Sequence, residues 1–416
     1  MSIMMGFAAR LDAQIPIPDR VTIEQAMQEA LENNLNLLAE RYTLSIADAQ
    51  IVTARLRPNP VLSLGGDHLD LLGTGFNDGN RAGPSEASAR VDFVFERGGK
   101  RQYRIAVAEQ GRAIAQLQLL DTIRTLRLDT QNACVDVLIA KANVTLAQEN
   151  RQALNDIVKV NTARVQAGDL AAVELERVRI AALQFENDVN KSESTLLQAR
   201  IKLQTLLGRS TPLESFDVVG ELRRDAQSAS IEDVLQQALT FRPDYQALVL
   251  NQARSVADLR LQIAQGKVDY TIGTEYRRQQ GVNGIGDSLG FFVSVPLPVF
   301  NRNQGEIERA QREQEQIATR LRALEATIRT EVRTAYQQYA TARRVLQRIE
   351  TSMLAPAAHV RQTVEYSYRH GQSRLVDFLD AQRTFNETRQ SHNEAQADYA
   401  RSLYLLDAVS GKAVSQ

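Results

Sequence analysis

The 416-residue sequence contains one cysteine, Cys134, no tryptophan, and only four histidines, His68, His359, His370 and His392. A single thiol excludes a disulfide framework and any cysteine-based metal cluster. Four widely spaced histidines give no zinc-ligand pattern. No apolar run approaches the roughly 18 residues that a membrane-spanning helix needs. A basic footprint is missing too: 49 Lys+Arg face 50 Asp+Glu, a formal charge of −1, which argues against a nucleic-acid partner. There is no phosphate-cradling glycine loop and no nucleophile–base pair, so neither an enzyme nor a cofactor or metal site is expected. What remains is a soluble helical protein, or a membrane protein whose spans are β-strands.

Proline and glycine are also absent where it matters. The ten prolines stand at 16, 18, 58, 60, 84, 212, 243, 296, 298 and 356, with none between 84 and 212. From Lys100 to Leu207 the only glycines are Gly111 and Gly168. Proline inside a helix costs about 3 kcal/mol, so this stretch reads as helix, turned once at Ala167-Gly168-Asp169. At ~1.5 Å per residue the first arm, 100–166, would be on the order of 100 Å long, a length for coiled coils or helical tubes rather than a globular core. The second arm, 170–207, carries Leu175, Val178, Ala182, Phe185, Val189, Ser192, Leu196, Ala199, Leu203 and Leu206 at alternating spacings of three and four, a heptad seam.

The sequence repeats itself. Thr22-Ile-Glu-Gln-Ala-Met-Gln-Glu-Ala-Leu31 aligns with Ser230-Ile-Glu-Asp-Val-Leu-Gln-Gln-Ala-Leu239. Leu62-Ser-Leu-Gly65 pairs with Tyr270-Thr-Ile-Gly273, Thr122-Ile-Arg-Thr125 with Thr327-Ile-Arg-Thr330, Gly168 with Gly371, and Gly208 with Gly411. The seam recurs as Phe378, Ala381, Phe385, Thr388, His392, Ala395, Tyr399, Ser402, Leu406 and Val409, which makes His392 a packed seam residue rather than a ligand. The organisation expected is an N-terminal remnant or linker over 1–20, a first repeat over 21–208, a linker over 209–229, a second repeat over 230–411 and a tail over 412–416. Each repeat runs short helix, strand, loop, strand, long helix, glycine turn, helix. The strands fall at about 61–68, 88–96, 268–277 and 287–296, the long helices at about 100–166, 170–207, 303–369 and 373–410. Met1–Ala9 is a short apolar start that fits either the tail of a secretory signal or a disordered lead into the Pro16/Pro18 linker.

The strands decide the class. Val91, Phe93 and Phe95 alternate with Arg90, Asp92 and Val94; Tyr270, Ile272 and Tyr276 with Thr271, Gly273 and Glu275; Leu289, Phe291, Val293 and Val295 with Ser288, Gly290 and Ser294. This is the two-residue period of strands with one apolar face. Gly-rich segments, 69–87 and 278–287, are predicted to join them as hairpin loops. Four strands cannot close a barrel, so a barrel in lipid requires several chains.

Hairpin, long helix, glycine turn and helix, repeated twice, resembles the TolC family of outer-membrane efflux channels. Val295-Pro-Leu-Pro-Val-Phe-Asn-Arg-Asn-Gln-Gly-Glu-Ile-Glu308 and Phe95-Glu-Arg-Gly-Gly-Lys-Arg101 are similar to the segments where strand gives way to long helix. Arg164–Glu174 and Tyr368–Ala381 are similar to the two periplasmic turns. The Phe-Asn-Arg-Asn-Gln-Gly and Glu-Arg-Gly-Gly-Lys-Arg forms look most like the heavy-metal branch, the cobalt–zinc–cadmium resistance type. The resemblance implies a mainly α chain with a membrane β-barrel, three copies building a 12-stranded barrel continued by a 12-helix tube. It implies a passive export conduit in the outer membrane of a Gram-negative bacterium, with the tube in the periplasm and 209–229 at its equator. Partners would be two further copies, outer-membrane lipid, a periplasmic adaptor and an inner-membrane pump of the resistance–nodulation–division type, with heavy-metal cations the expected cargo. The adaptor would meet the turns at Ala167, Gly168, Asp169 and Leu170 and at His370, Gly371, Gln372 and Ser373. Asp377 and Asp380 would face the lumen at the gate, with Glu174 at the equivalent place in the first repeat and Tyr368 bonded to it to hold the tube shut. The plainer account of the two aspartates is that they favour the first turn of a helix. The alternative from another class is a soluble periplasmic coiled-coil scaffold or adaptor without a barrel.

Overall fold

The computed structural model describes residues 19–69, 71, 73, 85–225, 230–281 and 284–412. The expected N-terminal remnant up to residue 18, the loop glycines 75, 79 and 83, linker residues 226–229 and tail residues 413–416 lie outside the described residues. In chain order the elements are β1 (Arg20–Val21), α1 (Ile23–Asn33), α2 (Leu35–Arg55), β2 (Val61–Asp67), β3 (Glu86–Phe95), α3 (Lys100–Gln166) and α4 (Ala172–Leu206). The second copy follows as β4 (Asp217–Val218), α5 (Ile231–Phe241), α6 (Pro243–Gln265), β5 (Tyr270–Gly281), β6 (Gly284–Ser294), α7 (Gln304–Ser352), α8 (Leu354–Arg369) and α9 (Leu375–Ser410).

The repeat is visible in its smallest details. Thr22 and Ser230 each cap their helix through a reciprocal box with Gln25 and Asp233. Gly208 lies against the Asn33 carbonyl at the end of α1, and Gly411 against Phe241 at the end of α5, closely enough that a β-carbon would collide in both places. Each copy also holds a second helix ahead of its hairpin, α2 and α6, and a two-residue strand, β1 and β4, that the sequence reading did not separate.

Three expectations are corrected. The helix predicted over 303–369 is divided at Met353, where φ is −118°. Pro356 has no N–H to offer the Ser352 carbonyl, and its ring disturbs the preceding turn. The loop predicted over 278–287 is mostly strand: pairing continues through Gln279↔Gly286 to Gly281↔Gly284. The glycines there are ladder residues rather than loop residues. At the other end the ladder stops at Ser294 instead of about 296, because Pro296 and Pro298 cannot donate to it.

The chain divides into two compact units. One comprises residues 40–119 and 243–326. Its centre is a four-stranded antiparallel sheet in the order β2-β3-β5-β6, so each repeat supplies one hairpin, and β2 and β6 are its edges with no further strand paired to them among the described residues. All four strands join α2, α3, α6 and α7 at the same end of the sheet.

The other unit comprises residues up to 39, 120–242 and from 327 on. Here β1 and β4 pair in parallel through Arg20↔Asp217 and Val21↔Val218. The heptad positions of both seams are buried or half-buried: Leu175, Val178, Val189, Leu196 and Leu203 on α4 are buried, as are Phe378, Ala381, Thr388, Ala395, Tyr399, Ser402, Leu406 and Val409 on α9. His392 takes its seam place half-buried, 3.3 Å from Glu350 and 3.1 Å from Gln396. Cys134 is buried on α3, and burial, helped by Glu24 and Asp136, pushes its thiol up to about 12.

Candidate functional site

The turn that joins α3 to α4 and the one that joins α8 to α9 share one geometry. Gly168 and Gly371 have φ of +84° and +75°, the left-handed conformation that glycine takes without a steric cost. At the first turn the Asp169 N–H donates to Arg164 O at 2.8 Å and Gly168 N–H to Val165 O at 3.1 Å. At the second, Gln372 N–H donates to Ser367 O at 2.8 Å and Gly371 N–H to Tyr368 O at 3.0 Å. These are paired Schellman closures, one per repeat. Ala167, Gly168, Asp169, His370, Gly371 and Gln372 are exposed, and Leu170 and Ser373 are half-buried. The Ser373 hydroxyl donates to Val364 O at 3.3 Å, and the His370 ring lies 4.1 Å from that of Tyr366.

Behind the turns lies a small core of Leu154, Ile157, Val178, Ala181, Tyr368, Leu375 and Phe378. It brings α3, α4, α8 and α9 together. Tyr368 stacks on Phe378 with ring centroids 5.4 Å apart. Contrary to the expectation from the sequence, its hydroxyl does not bond Glu174. The Asn161 side-chain amide donates to it at 2.7 Å, while Glu174 is taken up by Arg177 at 3.0 Å on its own helix. A local i,i+3 partner is available to Glu174 at little entropic cost, which leaves the buried phenol to the buried amide. Burial raises the Tyr368 phenol above its ordinary value, partly offset by the Asn161 bond and Arg164.

Asp377 and Asp380 are both exposed on α9. Asp377 accepts from the Arg374 backbone N–H at 3.1 Å, so at the third position of α9 it does help to close the helix N-terminus. Asp380, three residues on, shares its helix face without that duty.

Residues that the sequence reading passed over continue the Asn161–Tyr368 contact along α3 and α9. The Gln382 amide donates to Asn150 at 3.0 Å and to Asn386 at 3.2 Å, and the Asn393 amide donates to Asn143 at 2.9 Å. Asn150, Asn161, Gln382, Asn386 and Asn393 are all buried. Their only sequence signal is a polar residue recurring inside a packed helix, which does not reveal its partner.

The sheet presents the second candidate surface. Directly opposed residues of an antiparallel pair share a face. One face therefore carries the rows Phe95–Tyr270, Phe93–Ile272–Val293, Leu62–Val91–Thr274–Phe291 and Leu64–Ala89–Tyr276–Leu289. Leu64 and Phe291 are each 75% exposed on it. The opposite face carries Arg90, Asp92, Glu86, Glu275 and Arg277. There Arg90 binds Asp92 at 2.8 Å and Arg277 binds Glu275 at 2.9 Å and Glu86 at 3.1 Å. Phe292, the aromatic exception on this face, is covered by the Arg90 guanidinium 4.3 Å from its centroid. Glu275 is only 9% exposed, so the charged face is the better covered of the two. This is the reverse of a water-soluble sheet, which hides its apolar side.

The sequence matches the family described as "Outer membrane efflux protein" over residues 26–209 and 224–412. The Cobalt-zinc-cadmium resistance protein CzcC of Cupriavidus metallidurans is 26% identical over 370 residues, 89% of this chain and 85% of that protein. The Cation efflux system protein CusC of Escherichia coli O157:H7 is 23% identical over 400 residues, 89% and 81% of the two chains. Among solved structures, a crystal structure of CusC superposes with a TM-score of 0.76 at 19% identity, covering 94% of this chain and 92% of that one.

Proposed function

The chain belongs to the outer membrane efflux protein family and is an outer-membrane efflux channel, and on that premise we propose that it forms the outer-membrane conduit of a tripartite system exporting divalent metal cations. The observation that carries the reading is the inverted sheet: an exposed apolar face, an ion-paired polar face and two unpaired edges. Exposed backbone edges are not tolerated in lipid, so β6 of one copy must pair with β2 of the next. The order β2-β3-β5-β6 alternates in direction, so that new pair is antiparallel as well and the ring can close. Three copies of four strands make the 12-stranded barrel, with apolar residues to lipid and the Arg–carboxylate face to the lumen. A soluble scaffold or adaptor without a barrel has no use for such a face.

The cargo follows from similarity to the CzcC and CusC proteins, whose names specify cobalt, zinc and cadmium, and cations. In this reading the exposed glycine turns are the docking tips for a periplasmic adaptor, and an inner-membrane pump of the resistance–nodulation–division type drives transport. Asp377, Asp380, Glu174 and Tyr368 form the gate. Tyr368 acts through Asn161, as a latch between α8 and α3.

Expression in a Gram-negative host that holds the adaptor and pump but lacks its own channel tests the reading. Restored tolerance to cobalt, zinc or cadmium, with a detergent-requiring trimer in the outer-membrane fraction, is expected. A monodisperse monomer that purifies without detergent would overturn it.

A further inference from the structure

The apolar face of the sheet changes character at one row. Beyond Leu64–Ala89–Tyr276–Leu289, on the side away from the helices, the next row is Gly66–Ala87–Arg278–Asp287. Rows on one face lie about 6.8 Å apart, so this row sits one step past the last apolar one. Arg278 and Asp287 are directly opposed, on β5 and β6, and both are exposed. The Tyr276 hydroxyl donates to Asp287 Oδ1 at 2.7 Å. An arginine and a carboxylate on the lipid side of a barrel are costly at mid-bilayer and cost almost nothing at its surface. The row therefore marks a membrane surface. With α2, α3, α6 and α7 all joined to the opposite end of the sheet, that surface is the outer leaflet.

We infer that Arg278, Asp287 and Tyr276 form a binding site for a phosphorylated glycolipid of the outer leaflet, held together with a divalent cation. The guanidinium is a planar fork matched to two phosphate oxygens. Asp287 repels a bare phosphate. It accepts one whose charge is bridged by a divalent cation, which takes oxygen ligands from both. The Tyr276 hydroxyl holds the carboxylate at the height of the guanidinium. A zwitterionic headgroup also matches an arginine–aspartate pair, so a shift with phosphatidylethanolamine equal to that with lipid A would refute the site. The site is continuous with the lipid-facing rows, so the occupant is a lipid rather than a soluble anion.

The inference rests on the barrel reading, and the two fail separately. Purified protein in mild detergent is titrated with diphosphorylated lipid A in the presence of Mg2+, and binding is read as a rise in melting temperature by circular dichroism. Wild-type protein should be stabilised by lipid A and Mg2+, less so after chelation, and by neither phosphatidylethanolamine nor inorganic phosphate. Arg278→Gln should need about tenfold more lipid A for the same shift, the loss of one bidentate contact. Arg278→Lys should recover part of the difference, and Asp287→Asn should lose the response to chelation. All three side chains lie away from the lumen, so conductance should not change. A protein that does not enter proteoliposomes refutes the barrel. A protein that enters them but binds lipid A equally well as wild type and as Arg278→Gln refutes the site alone, as does an equal shift with inorganic phosphate.

Discussion

The Asn161 amide and the Tyr368 hydroxyl meet at 2.7 Å across 207 residues of chain, with both side chains almost wholly buried. Tyr368→Phe keeps the ring stacked on Phe378 and removes only the acceptor. Asn161 already has an unpartnered buried carbonyl oxygen, and the change would strand its nitrogen as well. An unsatisfied buried polar group costs ~1–3 kcal/mol. If the contact is a latch, Tyr368→Phe should raise single-channel conductance in planar bilayers while the trimer stays intact. Asn161→Leu, which leaves the phenol without its donor, should do the same. Conductance unchanged in both would reduce the pair to a packing contact.

The two glycine turns should tolerate substitution poorly for two separable reasons. A β-branched residue at Gly168 or Gly371 must hold a left-handed backbone, which costs on the order of 1–2 kcal/mol. That penalty is confined to an exposed turn, with no atom within 4 Å of a β-carbon at Gly168. If the adaptor docks at this turn, Gly168→Val should still yield outer-membrane trimers and yet abolish metal tolerance. Gly168→Ala should cost similar backbone strain with little added bulk. Tolerance retained by Gly168→Val would count against docking at this turn.

How far the sequence carries can be seen from particular residues. The duplicated short helices that begin at Thr22 and Ser230, the glycine turns and the heptad seams depend on neighbours within a few positions, and all are legible. So was the alternation of Phe93 with Asp92 and of Phe291 with Gly290. The Asn161–Tyr368 pair was not, because nothing local to Tyr368 distinguishes a buried amide 207 residues away from Glu174. The gap between α7 and α8 was signalled by Pro356 and missed because the register of the first repeat contains no proline there. The glycines of 278–287 read as loop because glycine usually breaks strands; here Gly281 pairs with Gly284 and Gly286 with Gln279.

The linker between the repeats ties itself down with charge. Asp217 on β4 bonds Lys141 of α3, and Arg200 of α4 at 3.0 Å. Burial alone would raise the Asp217 carboxyl, but the bonds from Lys141 and Arg200 outweigh it and hold it below the ordinary carboxylate value. A depressed folded value means that the stabilisation is present above the unfolded value of about 3.9 and is lost as pH falls through the folded one. Asp217→Asn should therefore melt lower than wild type at pH 7, and the gap should close below about pH 4 as the wild-type carboxyl protonates. A constant gap down to pH 3, in thermal melts followed by circular dichroism, would exclude this carboxylate as its source.

The two aspartates of α9 can be separated because only one of them belongs to the capping box of the helix. Asp377 accepts the Arg374 N–H from the third position of the helix; asparagine keeps an acceptor there but loses the charge that favours the helix N-terminus, so its neutralisation mixes a loss of ~0.3–1 kcal/mol with any effect on the lumen. Asp380 is exposed on the same face without a capping bond, three residues further along. In a trimer each position is repeated around the axis, and rings of carboxylates in a constriction bind divalent cations. Asp380→Asn should weaken block of single-channel current by divalent cations and leave the melting temperature unchanged. Asp377→Asn should weaken block and also lower the melting temperature, and the double variant should show the larger loss of block. If Asp380→Asn leaves cation block at the wild-type level, the ring at that position does not face the conduction path, and helix capping is then the whole account of Asp377.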